Sequence, residues 1–148
     1  MESGHTPPVE PVPPTGGLTI IAESRLKELR ALRPAQLDFQ RVIRLCEELN
    51  SAYSQGCFFA TIMHTRSLLD HVPPVFGKTK FTEVVNNYSG GGKSFTESMQ
   101  RLEDAARKIA DGHLHTPMRA AETLPTAQQV YFGRQLDALL AEIVRITR

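Results

Sequence analysis

Cysteine is scarce: the 148-residue chain contains only Cys46 and Cys57, and they do not stand in CxxC spacing. That excludes a disulfide framework of the secreted kind, so both read as small buried side chains in a reducing, cytoplasmic setting. Charge of one sign is lacking too. A formal net charge of +1 creates no global field to gather polyanions, and any nucleic-acid contact must be local. Long apolar runs are missing: stretches such as residues 58–60 (FFA) fall far short of the roughly 20 residues that span a bilayer. The N-terminus has no basic start followed by an apolar core, so the chain is expected to be soluble and not exported. Convincing two-residue alternation and internal repeats are also absent, which leaves helices as the building material.

What is present is helical periodicity behind a biased leader. Residues 1–17 hold five of the ten prolines among polar residues and end on two glycines, a composition that predicts disorder. Residues 18–33 alternate Ile21, Leu26, Leu29 and Leu32 with arginines and a lysine, which suggests a short helical arm stopped at Pro34. Residues 35–148 are expected to form the domain proper. Phe39, Val42, Ile43, Cys46, Leu49 and Tyr53 mark an amphipathic helix ending near Gly56. A third helix is expected from about Cys57 to His71, stopped by Pro73 and Pro74, and two turns are expected from Phe81 to Tyr88.

A fourth long helix carries Phe95, Met99, Leu102, Ala106 and Ile109 at steps of four and three, the repeat of a helix lying along near-parallel neighbours. A last helix carries Phe132, Leu136, Leu139, Leu140, Ile143 and Ile146, with Thr126 and Gln129 placed to box its start. The expected fold is an all-α bundle of four to five helices.

The stretch NNYSGGGKSF, residues 86–95, has the tail of a phosphate-gripping loop. Asn87 stands where a Walker A motif needs its first glycine, and no strand precedes it. The expectation is instead a turn in which Ser94 caps the fourth helix with Glu97 as its partner.

The stretch RKIADGHLH, residues 107–115, is the richest in chemistry. Glu103 and Asp111 lie four residues to either side of Arg107, so Arg107 can join a surface charge ladder, and Gly112 has the look of a C-terminal cap. Arg66, four residues before Asp70 on an otherwise apolar helix, needs a partner or a cleft. His64 and His71, with Asp111, His113 and His115, offer ligand types, but no Glu-x-x-His or His-Glu-x-x-His occurs, and neither a metal nor a cofactor is expected.

Arg107 followed by His113 near a helix end resembles the signature of the HEPN superfamily, and residues 65–71 (TRSLLDH) are similar to the polar helix that faces it. The resemblance implies a homodimer in which two such motifs face each other, cleaving RNA without a metal in active members of prokaryotic defence and toxin systems. It implies His113 as acid/base and Arg107 as phosphate clamp, with Arg66, Asp70, Lys108 and His115 as substrate-binding residues. Such chemistry is intelligible, because a histidine near neutral pKa moves protons and a guanidinium neutralises a crowded phosphate. Lys108 stands where many active members carry Asn, Asp or His, so the alternative is a catalytically silent dimerisation or protein-interaction module.

Overall fold

The computed structural model describes residues 18–33 and 36–148; the proline-rich leader expected over residues 1–17, and Pro34, lie outside them. Among the described residues six helices follow in order: α1 (Glu23–Ala31), α2 (Gln40–Ser54), α3 (Phe58–His71), α4 (Phe81–Asn87), α5 (Gly92–Leu114) and α6 (Gly133–Thr147), with a 3-10 turn at Pro73–Phe76. No strand occurs among the described residues, and no helix among them is long and apolar enough to cross a membrane.

Packing closes the helices into a ring. α2 lies on α3, α3 on α5, α5 on α6, and α1 bridges α6 back to α2, while the short α4 rests on α5. The fold is an all-α bundle. Each long helix turns one stripe inward: Val42, Cys46, Leu49 and Tyr53 from α2, Ile62, Leu68 and Leu69 from α3, and Leu136, Leu139, Leu140 and Ile143 from α6. The α5 stripe of Phe95, Met99, Leu102 and Ala106 is buried, and Ala110 completes it where Ile109 is only half-buried.

Residues 18–33, expected as a helical arm, pack into this core. Ile20, Ile21, Leu26 and Leu29 are all buried. Asn50 of α2 holds their approach: its side-chain oxygen accepts the N–H of Ile20 at 2.9 Å and of Ile21 at 2.8 Å, and its amide donates to the Ile21 carbonyl at 2.9 Å. Arg25 then reaches α6, donating to the two Asp137 oxygens at 2.9 and 3.2 Å. Both devices are long-range in sequence.

Three helix ends differ from expectation. α5 begins at Gly92, so Ser94 lies inside the helix and makes no cap with Glu97. The glycines serve the turn otherwise. A Cβ on Gly91 would lie 2.6 Å from the Phe95 ring, and Gly92 has φ +82°, a region that L side chains rarely adopt. At the other end α5 runs through Gly112 to Leu114, so Gly112 is no cap; the Thr116 hydroxyl serves the freed Gly112 carbonyl at 2.9 Å. Thr126 and Gln129 do bond reciprocally, at 3.0 and 3.2 Å, but they close a separate turn over residues 127–130 that delivers Val130 to the core. α6 starts only at Gly133.

Candidate functional site

The seam between α3 and α5 gathers most of the charge that the sequence singles out. Phe59 meets His113 and Arg66 meets Glu103, so numbers rise along α3 as they fall along α5 and the helices are antiparallel. Phe59, Met63, Arg66 and Asp70 follow steps of four, three and four, which places them in one stripe along the seam.

Glu103 is the centre of the polar part. It is only 3% exposed, accepts a hydrogen bond from Arg107 Nη2, and holds Oε2 3.5 Å from Arg66 Nη1. Those last two atoms have no solvent contact and no formed hydrogen bond, so they are held by charge rather than by geometry. Arg66 also lies 3.6 Å from Asp70, whose side chain is 69% exposed. The Glu103 hydrogen bond keeps the Arg107 guanidinium above even its usual high pKa. Arg66, Arg107 and Asp70, with Lys80 and Thr79 from the entry to α4, line a cavity of about 380 Å³ above Glu103.

His113 lies elsewhere. Six residues of helix carry it about 9 Å along α5 from Arg107 and roughly a third of a turn around it. Its ring meets Phe59 edge-on at 6.1 Å between centroids. Within one chain, then, the Arg and His of the motif do not face one phosphate. Lys108 and His115 are exposed and outside the cavity. The structure therefore brings Arg66, Asp70 and Arg107 together and leaves His113, Lys108 and His115 apart.

Sequence reading missed Glu103 as an organiser, and Lys80 altogether. Glu103 had a signal: four residues from both Met99 and Arg107, beside Leu102, it is a carboxylate set into an apolar stripe. Lys80 had none, because only the fold brings the loop before α4 to the seam.

A second cavity, of about 510 Å³, opens between α2 and α3 and is lined by Arg41, Arg44, Leu45, Ser67, Asp70 and His71. Burial, and then the nearby Arg41 charge, hold His71 below the ordinary histidine pKa. Asp70 is the one residue that lines both cavities.

Other candidates are absorbed by structure. The glycine loop is tied to α6: Arg145 donates to the Gly90 carbonyl at 3.1 Å, and the Tyr88 hydroxyl donates to the buried Glu142. His64 sits between the Ala60 carbonyl at 2.6 Å and Glu48 at 3.1 Å. Burial pushes the Cys46 thiol up to about 12, which leaves it unreactive. Among the described residues no three His, Cys, Asp or Glu side chains gather as a metal ligand set. Comparison with protein-family models finds no match, and neither the curated proteins nor the solved structures yield a similar chain.

Proposed function

We propose that the chain is a HEPN-like, homodimeric module that binds RNA along the α3–α5 seam, or cleaves it there by metal-independent acid/base chemistry. The observation that carries this reading is Glu103: a buried carboxylate holding Arg107, and facing Arg66, at the edge of an open cavity. Each guanidinium has five N–H donors, so donors remain for a phosphate after Glu103 is served. The local balance is cationic, with Arg66, Lys80 and Arg107 against Asp70 and Glu103.

The separation of His113 from Arg107 gives the second copy its role. A partner laid antiparallel on the seam would bring its own His113 towards the phosphate held by Arg107. Phe59 and Met63, 43% and 53% exposed, supply apolar area for that contact between the polar cluster and His113.

The test is cleavage of labelled total RNA in EDTA by the wild type, Arg107→Ala and His113→Ala, each with verified folding. Cutting to cyclic-phosphate ends is expected from the wild type alone. Mixing the two inactive variants should restore part of it, because a mixed dimer has one site with both residues intact. A wild type that neither cuts nor retains RNA refutes the proposal. The reading that then takes over is the silent interaction module, favoured by the same ion pair on Arg107 and the same ring contact on His113.

A further inference from the structure

Resting on that reading of the seam, the arrangement around Asp70 specifies the strand that it takes. Two cavities meet at this one side chain. On one side stand Arg66, Arg107 and Lys80; on the other stands Arg41, which is exposed and joins no ion pair among the described residues, with Arg44 beside it. Arg44 is largely engaged, its Nε 2.8 Å from Glu48. The track is therefore cationic, then acidic, then cationic across the ridge of α3.

An acidic group at the centre of an anion track needs a neutral donor placed between two negative charges. Successive phosphates of RNA carry that donor between them, the ribose 2′-hydroxyl, whereas DNA presents a hydrogen there. Asp70 is free to accept from it. Its carboxylate is exposed and lies 3.6 Å from Arg66, beyond a hydrogen bond, so its lone pairs remain open. An acidic peptide offers only backbone N–H groups as neutral donors, and its flanking side-chain carboxylates would stand against Asp70.

We propose that a single RNA strand crosses α3 at Asp70, one nucleotide in the Arg66–Arg107 cavity and its neighbour in the Arg41–His71 cavity, with Asp70 accepting from the ribose 2′-hydroxyl between them. Volumes of about 380 and 510 Å³ fall in the range of sites that hold one small ligand each. Splayed bases of a single strand fit two separate cavities; a stacked duplex does not. His71, held below the ordinary histidine pKa by burial and then by Arg41, offers the second base an aromatic edge.

The test is fluorescence anisotropy with labelled single-stranded RNA and DNA of one sequence in a His113→Ala background that leaves the RNA uncut, comparing the wild-type seam with Asp70→Ala, Arg41→Ser and Arg107→Ala. The wild-type seam is expected to favour RNA by on the order of tenfold, the effect of one hydrogen bond to a charged acceptor. In Asp70→Ala the ratio should collapse to about one, with DNA binding unchanged or tighter because a repulsive charge has gone. Arg41→Ser should weaken both strands and flatten the salt dependence. If Asp70→Ala keeps the ratio, or Arg41→Ser binds normally while Arg107→Ala does not, the path is overturned and the seam reading survives. A wild-type seam that binds neither strand overturns both. Displacement of RNA by polyglutamate at equal charge would make the track a docking site for acidic protein, and overturn this proposal.

Discussion

Two guanidiniums converge on one buried carboxylate at the seam, and their unequal burial makes a testable asymmetry. Arg66 is 20% exposed in its side chain and Arg107 49%. Glu103→Ala strands the more buried Arg66 and is expected to cost roughly 3 kcal/mol. Arg107→Ala leaves Glu103 with Arg66 and should cost about 1 kcal/mol, since half-exposed pairs are screened by solvent. Urea denaturation of the two variants checks the order. Glu142 is a second buried carboxylate, held by one guanidinium and one phenol. Its hydrogen bonds from Arg145 and then from Tyr88 hold its carboxyl below the ordinary glutamate pKa. As pH falls the unfolded chain takes up this proton first, so the stability is present above the unfolded value and is lost as pH falls through the folded one. Glu142→Gln should be less stable than wild type near neutrality and show a shallower loss below about pH 4.5, the unfolded value, when melting is followed across an acid series.

Among the elements, α5 shows most clearly how like residues acquire unlike roles. Gly91 and Gly112 both stand where the sequence suggests a helix boundary, but only Gly91 lies at a turn, tight against Phe95. Gly112 lies within the helix with nothing near its missing Cβ and without positive φ. Gly112→Ala is therefore expected to raise stability by up to about 1 kcal/mol, the helix propensity difference. Gly91→Ala should lower it by about 1–3 kcal/mol through overpacking. Thermal melts of the pair decide, and a destabilised Gly112→Ala would mean that the helix ends before it. Helix stripes were legible because burial at steps of three and four is written locally. The ends were not, because α5 is drawn beyond Gly112 by Leu114 packing on the core and by His113 on Phe59.

For the whole molecule, ring closure depends on α1, and α1 depends on Asn50. Three hydrogen bonds from one side chain fix the Ile20–Ile21 approach that seats Leu26 and Leu29. Asn50→Ala should cost about 2 kcal/mol by leaving part-buried backbone groups unpaired. Limited proteolysis should then release residues before α2 sooner than in the wild type. Unchanged stability would mean that α1 is a dispensable appendage.

Composition and periodicity by themselves determined the all-α class, the inward stripes of α2, α5 and α6, and the breaks at Gly56, Pro73 and the glycine loop. These follow from near-neighbour physics: the 3.6-residue turn, missing N–H groups and backbone freedom. They also placed Arg66 and Asp70 on one face. Tertiary structure alone decided that Glu103 is buried beneath Arg66 and Arg107, that Lys80 joins them, that His113 turns to Phe59, and that Asp70 stands between two cavities. Each of these is a meeting of side chains from different helices, set by how α3 and α5 lie antiparallel, and no spacing along one helix encodes it.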